Sequence, residues 1–492
     1  MAVNYINGSW VPAKSGETLD STNPANGNVV GTVPRSGKAD VDVAVQAARQ
    51  AFERWRLTPA PVRGNILLKA ARILEERKQS LGELVTKEMG KVIAEGLGDV
   101  QEAVDMGYYM AGEGRRMSGQ TTHSELPDKD MKSIREPLGV WGIITPWNFP
   151  IAIPGWKIFA ALICGNTLVY KPSRETPVCG VEFTRAFHDA GLPKGVLNLV
   201  TGTGSEVGDA LVSHPGIDGI SFTGSCDVGL AIEASCGKLH KPAATEMGGK
   251  NAILVMDDAD VDLAVHGAIW GGFGTTGQRC TAASRVVLHR AIRKEFTQKF
   301  IRRARALKLG DGLSAEVGPL INAASLEKVT QYVEIGRKEG ARLLCGGKPT
   351  KGRGRGFFFE PTVFDKVKPG MRIAQEEIFG PVVSLLECKD LKEGIAIVNG
   401  TQFGLSSAIY TRNVNSSAVA ERELQSGLVY INASTIGSEV HLPFGGIKST
   451  GIGHKEAGGL GGALDTFSRV KVVYRDFSGR LQRAQLDTEA VR

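Results

Sequence analysis

From Gly139 onward, short β-rich runs alternate with runs that have helical periodicity. The first series of β-rich runs comprises residues 140–144, 167–170, 196–200, 219–222 and 252–256. The first four runs are separated by helical patterns near residues 151–164, 178–190 and 206–212. Strand–helix–strand alternation predicts a parallel sheet with helices on both faces, which binds ligands beyond the carboxyl ends of its strands.

A second alternating region extends from about residue 261 to 465 and predicts another α/β unit. Its β-rich runs are residues 286–288, 341–345, 382–386, 408–410 and 429–432. Before both regions, the pattern predicts an N-terminal hairpin and then amphipathic helices at residues 40–55, 65–77 and 100–112, the first capped by Asp40. Residues 467–477 form a last β-rich run, and we expect the polar residues from Ser478 onward to be disordered.

The chain has the composition of an ordinary globular protein, because 42% of its 492 residues are hydrophobic and 23% are charged. The net charge is +7, and the lysines and arginines are interspersed with acidic residues. This pattern favours a solvated surface over nucleic-acid binding. No run reaches the ~18 apolar residues of a membrane span, and the start lacks a signal-peptide pattern. The seven cysteines are an odd, sparse set, so we expect reduced thiols and a cytoplasmic location. No Cys or His spacing indicates a metal site.

One cysteine follows a glycine-rich turn in the segment FGTTGQRC, residues 273–280. A thiol acts as a nucleophile when it is partly ionised and accessible, and glycines at positions 274 and 277 allow a substrate to approach closely. Taken alone, Cys280 fits a buried structural cysteine better, since cysteine is among the most often buried residues.

Two further segments place single polar groups near predicted strand ends. In TEMGGKN, Glu246 lies beside two glycines, where a carboxylate can act as a general base on water. A helix cap or a surface ion pair is the simpler interpretation. In ITPWNFP, Asn148 lies between stiffening prolines, and a fixed amide can donate to an oxyanion. The alternative there is an ordinary turn asparagine.

The glycine turns GTGSEVG and FTGSCDVG, residues 202–208 and 222–229, each follow a predicted strand and open a helix. Backbone N–H groups and the helix dipole can then face an anion such as a phosphate. Neither turn has the G-x-G-x-x-G spacing of the standard dinucleotide fingerprint. An isolated turn of this kind is most often structural.

Together these segments resemble the aldehyde dehydrogenase superfamily, and most of all its semialdehyde dehydrogenase branches. The shared motifs occur in the family's order and are PWNFP, KPS, GTGSEVG, FTGS, EMGGK, GQRC, EEIFGPV and PFGGIKSTG. The separation of Glu246 and Cys280 also matches the family's spacing. The resemblance covers nearly the whole chain and implies an α/β fold of the aldehyde dehydrogenase type, with a Rossmann-like cofactor domain, an α/β catalytic domain and a small β oligomerisation arm.

The resemblance also implies domain limits and an assembly. The NAD(P)-binding domain would comprise residues 1–115 and 137–248, and the catalytic domain residues 249–464. The arm and the C-terminal tail would comprise residues 116–136 and 465–492. In the family, strands that match about 131–136 and 467–475 join subunits, which implies a homodimer or homotetramer.

The implied reaction is oxidation of a small-molecule aldehyde to a carboxylic acid, with NAD or NADP, through a thioester. Cys280 matches the nucleophile, Glu246 the general base, and Asn148, with the Cys280 N–H, the oxyanion donors. Lys171 matches a lysine at the adenosine ribose. Cofactor contacts are implied for Thr145, Trp147, Lys171, Ser173, Arg174, Gly204, Phe222, Thr223, Gly224, Ser225, Glu377 and Phe379. Substrate contacts are implied for Phe149, Arg279 and Thr281.

The residue before the nucleophile, Arg279, is compatible with more than one substrate. The GQRC variant resembles the aminoadipic semialdehyde branch, and EMGGKN resembles the ketoglutaric semialdehyde dehydrogenases. Arg279 can bind a distal carboxylate bidentately, lower the thiol pKa, or form an internal ion pair. Alternative functions are a non-phosphorylating aldehyde-phosphate dehydrogenase, broad-range aldehyde detoxification, or an inactive structural or binding protein on the same fold.

A second departure concerns the cofactor. Many NAD-preferring members have an acid three positions after the lysine that Lys171 matches, and here that position is Arg174. A carboxylate accepts hydrogen bonds from both ribose hydroxyls and repels a 2′-phosphate, whereas arginine cannot accept and suits phosphate. The equally weighted alternative is a surface arginine that points away.

We predict that Arg174→Glu weakens the use of NADP much more than the use of NAD. Charge-assisted hydrogen bonds of roughly 1.5–3 kcal/mol change the NADP-to-NAD ratio by about tenfold or more, since ~1.4 kcal/mol is one decade. The measurement is kcat/KM for both cofactors in the wild type and the variant. An unchanged ratio would show that Arg174 points into solvent.

Overall fold

The computed structural model describes residues 3–350 and 355–486. Its strands are β1 Asn4–Ile6, β2 Ser9–Val11, β3 Thr18–Thr22, β4 Val29–Pro34, β5 Thr121–His123, β6 Lys129–Pro137, β7 Val140–Ile144, β8 Thr167–Lys171, β9 Leu197–Leu199, β10 Gly219–Thr223, β11 Ala243–Glu246, β12 Ala252–Val255, β13 Arg285–His289, β14 Arg342–Cys345, β15 Thr362–Asp365, β16 Val382–Cys388, β17 Phe403–Gly404, β18 Ser406–Tyr410, β19 Leu428–Ile431, β20 Ile447–Lys448 and β21 Ser468–Asp476.

The α-helices are α1 Lys38–Trp55, α2 Ala60–Glu76, α3 Lys78–Met89, α4 Ile93–Glu113, α5 Ala152–Cys164, α6 Pro177–Asp189, α7 Asp209–Ser213, α8 Cys226–Lys238, α9 Val261–Phe273, α10 Arg293–Ala306, α11 Ala323–Lys338, α12 Arg372–Gln375, α13 Leu391–Asn399, α14 Val414–Glu423 and α15 Leu464–Thr466. Short turns of other helical types lie at Gly204–Gly208, Gly274–Gly277 and Gly459–Ala463. In the described part of the chain, no helix is both long and apolar enough to cross a membrane.

The first sheet has seven strands in the order β11-β10-β7-β8-β9-β1-β2. Strands β7 to β11 are parallel, as the alternation predicts, and the N-terminal hairpin β1–β2 adds an antiparallel edge. Successive residues of β7 enter different cores, because Trp141 packs in one core and Val140 in another. Both faces of the sheet are therefore covered, which explains why its strands read as continuous apolar runs.

The second sheet also has seven strands, in the order β14-β15-β16-β13-β12-β18-β19. It is parallel apart from β14, and it too has a separate core on each face. The run at residues 252–256, which the sequence pattern grouped with the first series, is β12 of this second sheet. That grouping was wrong because strand periodicity does not show which strands pair.

The N-terminal helices are present but begin earlier than predicted. Helix α1 begins at Lys38, so Asp40 is not the cap. The Asp40 carboxylate lies in the first turn and accepts hydrogen bonds from Gly37 N (3.1 Å) and Lys14 N (2.8 Å). Helix α4 begins at Ile93. Its first turns were missed because acids and glycines interrupt the apolar pattern there.

Strand β21 pairs antiparallel with β6 along its whole length, and β5 lies on the other side of β6. The stretches predicted as arm and C-terminal strand, residues 131–136 and 467–475, largely coincide with β6 and β21. Val470, Val472 and Tyr474 of β21 are exposed. Residues 478–486 contain no helix or strand, and the rest of the stretch predicted to be disordered lies outside the described residues.

The Asn166 side chain ties β21 to the first sheet. Its Oδ1 accepts hydrogen bonds from Leu138 N (2.8 Å) and Gly139 N (3.0 Å). Its Nδ2 donates to Ala161 O (3.1 Å) and Phe467 O (2.7 Å). The residue is fully buried, so no water can replace these partners.

We expect Asn166→Ala to destabilise the protein, because it leaves buried backbone groups without hydrogen-bond partners. Each group that stays unsatisfied lowers the free energy of unfolding by about 1–3 kcal/mol. The midpoint of thermal unfolding should fall by several degrees in differential scanning calorimetry. The control is Asn65→Ala on the exposed face of α2, where alanine favours the helix. Equal midpoints for the two variants would contradict the role of Asn166.

Candidate active site

Cys280 ends a loop whose backbone is strained. After α9, Thr275 and Thr276 adopt positive φ angles of 50° and 59°, which β-branched residues rarely do. The Glu95 carboxylate accepts a hydrogen bond from Thr275 N at 2.8 Å, and Thr276 Oγ1 donates to Gly318 O at 3.0 Å. These contacts from distant segments hold the turn in place and thereby fix the position of Cys280.

Two cavities meet at Cys280. The large cavity, about 560 Å³, lies among α4, α9, Phe149, Arg279 and residues 436–441. The small cavity, about 200 Å³, is lined by Trp147, Asn148, Gly224, Ser225, Glu377 and Phe379, among others. Cys280 and Thr223 line both cavities. The thiol is thus accessible from two sides, while all seven cysteines are unpaired.

The thiol of Cys280 lies in an acidic environment. Burial raises its pKa, and the carboxylates of Glu456, Glu377 and Glu246 raise it further. A thiol with a raised pKa is protonated near neutral pH. Nucleophilic attack therefore needs a group that accepts the proton.

Glu246 is the end of β11 and borders the large cavity. Its Oε2 accepts a hydrogen bond from Gly446 N at 3.0 Å, whereas its buried Oε1 has no partner among the described residues. Burial and then the neighbouring Glu456 raise the pKa of Glu246. A Cβ at Gly445 would lie 2.4 Å from Glu246 Oε1, so only glycine leaves room for the carboxylate here.

Glu456 is a site residue that the sequence analysis missed. Its carboxylate pairs with the Lys157 ammonium and accepts a hydrogen bond from Thr223 Oγ1, and it lines the large cavity. Lys157 Nζ also donates to Ser221 Oγ at 2.8 Å. In the sequence, the glutamate follows the PFGGIKSTG motif without any pattern of its own, so only the fold reveals its proximity to Glu246.

Asn148 and the three predicted substrate residues surround the same thiol. Asn148 Nδ2 donates to Gln278 O at 3.2 Å, which places the amide against the Cys280 loop. Phe149, Arg279 and Thr281 all line the large cavity. The structure thus brings these four residues to the walls of the cavities that Cys280 borders, and their roles stay predictions.

Arg279 forms the internal ion pair that the sequence left as one of three alternatives. Its guanidinium bonds to Glu95 Oε1 at 2.9 Å and to Thr275 Oγ1 at 2.8 Å. The rings of Phe149 and Trp270 lie 5.1 and 5.0 Å from it. Only 10% of the side chain is exposed, so the charge is fixed in the cavity wall.

Glu377 contacts the segment that links the two sheets. Its Oε1 accepts a hydrogen bond from Gly249 N at 2.9 Å, and burial raises its pKa. A Cβ at Gly248 would lie 2.2 Å from Glu377 Oε2, so a larger residue would displace the carboxylate. Lys328 and Ser325 of α11, which the sequence analysis missed, line the same cavity.

The other predicted cofactor residues lie outside both cavities, at the carboxyl edge of the first sheet or in the turns that follow it. Ile144 and Lys171 are register partners at the ends of β7 and β8, and Thr145 N donates to Lys171 O at 3.2 Å. Gly204 opens the turn after β9. Phe222 lies near the end of β10, and its side chain packs in a hydrophobic core and not at a cavity wall.

Lys171 and Arg174 lie close together. Burial, and then the neighbouring Arg174, lower the pKa of Lys171 to about 8. Arg174 bonds to Glu175 at 3.1 Å and is 61% exposed, so it is neither buried nor without a partner. Ser173 Oγ accepts a hydrogen bond from Glu175 N at 3.2 Å, which shapes the same turn. Among the residues that the structure describes, no cluster of His, Cys, Asp and Glu could hold a metal ion.

The model of the aldehyde dehydrogenase family matches residues 10–473. The chain belongs to the aldehyde dehydrogenase family. It is 42% identical to an α-ketoglutarate semialdehyde dehydrogenase of Haloferax volcanii, over 96% of this chain and 99% of that one. It is 38% identical to a succinate-semialdehyde dehydrogenase [NADP(+)] of Escherichia coli, over 92% and 93%. A crystal structure of Staphylococcus aureus betaine aldehyde dehydrogenase with NAD+ has a TM-score of 0.94 at 35% identity, over 97% and 95%.

These findings establish the class of reaction. This aldehyde dehydrogenase is an enzyme that oxidises an aldehyde to a carboxylic acid with NAD or NADP. They do not support the alternative of an inactive structural protein.

Proposed function

We propose that this aldehyde dehydrogenase oxidises a semialdehyde that bears a distal carboxylate, through a thioester on Cys280. The observation that carries the proposal is that Cys280 lies where the two cavities meet, with the Arg279 guanidinium in the wall of the larger one. Support also comes from the relatives, two of which are named for the semialdehydes of α-ketoglutarate and succinate.

In the proposed reaction, the Cys280 thiol transfers its proton to solvent water that enters the cavity, and its Sγ adds to the aldehyde carbon. The Asn148 amide and the Cys280 N–H donate to the oxygen, on which negative charge develops. The nicotinamide, when bound, supplies the hydride acceptor that the oxidation requires. The product on the enzyme is then an acyl thioester of Cys280.

Glu246 is proposed to deacylate the enzyme. Glu246 lines the large cavity, and its carboxylate can accept a proton from a water that attacks the thioester. The attack releases the carboxylic acid and regenerates the protonated Cys280 thiol. Burial and then Glu456 raise the pKa of Glu246, and Lys157 partly offsets that effect.

The residues at the small cavity fit a dinucleotide cofactor. The glycine turn at Gly224 and Ser225 precedes α8, whose N-terminus can face a pyrophosphate. Glu377 offers a carboxylate for ribose hydroxyls, and the close approach at Gly248 keeps it in position. We propose that Lys171 and Arg174 lie at the adenosine ribose, with Trp147 and Phe379 at the nicotinamide end.

Arg279 is proposed to bind the distal carboxylate. A guanidinium has five N–H donors, and the described contacts to Glu95 and Thr275 use two of them. The other donors can serve a bound anion, and the rings of Phe149 and Trp270 hold the group in place. An aldehyde phosphate or a broad range of simple aldehydes are the alternatives to a semialdehyde.

The proposal also includes the domain limits, the oligomeric state and the cellular location. We propose the domain limits at residues 115, 137, 248 and 464 that the resemblance implies, and the ends of β11 at Glu246 and β12 at Ala252 support the limit at 248. We propose a homodimer or homotetramer joined through β6 and β21, whose exposed apolar residues suit an interface. A cytoplasmic location is proposed from the reduced cysteines.

The catalytic roles predict different failures for two variants. Cys280→Ala should abolish formation of reduced cofactor while cofactor binding persists, since the nucleophile alone is removed. Glu246→Gln should give one burst of reduced cofactor and then stall as the thioester. Stopped-flow absorbance and intact-protein mass spectrometry measure both. Steady turnover of Glu246→Gln without an accumulated adduct would contradict deacylation by Glu246.

The substrate class predicts a selective loss in Arg279→Met. We expect kcat/KM for ω-oxo acids of three to five carbons to fall by roughly tenfold to a hundredfold, because a charge-assisted bond of about 1.5–3 kcal/mol is lost. Uncharged aldehydes of equal length are the internal control, and their kcat/KM should change much less. Parallel losses for both series would show that Arg279 serves the loop and not the substrate.

A further inference from the structure

Helix α4 turns an acidic face towards the large cavity. Glu95, Asp99, Glu102 and Asp105 recur at helical spacing on this helix, and all four line the cavity. Such a face beside a guanidinium determines which substrate charges the cavity tolerates. The four carboxyl groups differ in what they bind.

Two of the four carboxylates are fully engaged by the fold. Glu95 accepts hydrogen bonds from Thr275 N and from Arg279. Asp99 pairs with the Lys91 ammonium at 2.9 Å and accepts from Ala152 N at 2.6 Å, at the start of α5. Their charges are therefore compensated before any substrate binds.

Glu102 differs from these two. Ser438 Oγ donates to it at 3.3 Å, and within the described residues no cation lies at ion-pair distance from it. Lys91 and Arg279 are committed to Asp99 and Glu95. A carboxyl group that is partly removed from solvent, next to other acids and without a cation is more stable when protonated.

We propose that Glu102 is a second specificity-determining residue: as a neutral acid, it donates a hydrogen bond to the distal carboxylate that Arg279 attracts. The inference rests on the proposed function and extends it, since it adds a neutral donor to the cationic one. Ser438 Oγ supports the arrangement, because its hydrogen bond to one Glu102 oxygen leaves the other free to carry the proton.

The charged groups around Glu102 agree with this role. Asp99 lies one turn before it on α4, Asp105 lies one turn after it, and Glu95 lies at the start of the helix. From other elements, Arg279 and Lys91 partly offset the acids. Tyr430 of β19 also interacts with Glu102, and Glu439 and His441 lie in the loop that carries Ser438. Burial, followed by Asp99, raises the pKa of Glu102 to about 7.

The arrangement links substrate choice to pH. Below pH 7 most Glu102 carries its proton and can donate to an anionic substrate. Above that pH the carboxylate repels the anion and attracts a cation instead. The preference for a distal carboxylate should therefore fall as pH rises.

The experiment compares kcat/KM for a four-carbon ω-oxo acid with that for the uncharged aldehyde of equal length, from pH 6 to pH 9. Taking the ratio cancels the ionisation of Cys280 and Glu246, which affects both substrates. In the wild type the ratio should fall about tenfold as the hydrogen bond is lost. In Glu102→Gln it should stay high at every pH, because the amide always donates. In Glu102→Ala it should be low and independent of pH.

Asp105→Asn is the matched control, since it removes one carboxylate from the exposed end of the same face. It should keep the pH-dependent fall of the wild type. A four-carbon aldehyde with a terminal ammonium should show the opposite trend, gaining on the uncharged aldehyde as pH rises. That gain should be absent in Glu102→Gln.

The outcomes separate this inference from the proposed function. If the wild type does not prefer the ω-oxo acid at any pH, and Arg279→Met changes nothing, the proposed function fails. If the preference depends on Arg279 but its fall with pH persists in Glu102→Gln, only the role of Glu102 is overturned. The same holds if the wild-type ratio does not vary with pH.

Discussion

The Glu95 carboxylate makes the contact on which the active-site loop depends. It bonds to Thr275 N, where the backbone has a left-handed conformation that threonine avoids, and it pairs with Arg279, next to the nucleophile. One carboxylate therefore offsets backbone strain and a buried charge together. Because Glu95 lies on α4, the geometry of Cys280 depends on a helix distant in sequence. Loss of this carboxylate would leave a guanidinium without its partner in a dry wall, which is costly.

The segment between the sheets places the second catalytic group. Strand β11 ends at Glu246, and the chain then crosses within a few residues to β12 of the other sheet. The crossing segment contains Gly248 and Gly249, against which Glu377 packs. The proposed general base and the proposed ribose-binding acid thus both lie next to this one short connection. The site forms where the carboxyl edge of the first sheet, which ends at Glu246, meets the amino edge of the second, since Cys280 and Glu377 precede β13 and β16.

The acidic environment around the Cys280 thiol keeps it protonated and so limits its reactivity. Burial and the carboxylates of Glu456, Glu377 and Glu246 raise the Cys280 pKa, so the sulfur is a poor nucleophile while it keeps its proton. The same low-dielectric environment that raises the thiol pKa raises the pKa of Glu246. Burial therefore raises the pKa of both groups, and a carboxylate with a raised pKa is a stronger base towards a water.

The sequence by itself determined the fold class, the family and the grouping of Cys280, Glu246 and Asn148, because strand–helix alternation and ordered motifs are local signals. It could not assign β12 to its sheet, since pairing depends on partners distant in the chain. It gave no sign of Glu456 or of Glu95 as the partner of Arg279, because these two glutamates carry no motif and reach the site only through packing. It also left Arg174 and Arg279 ambiguous. Only the tertiary structure placed Arg279 in a cavity wall, since the orientation of a long charged side chain is set by the residues around it.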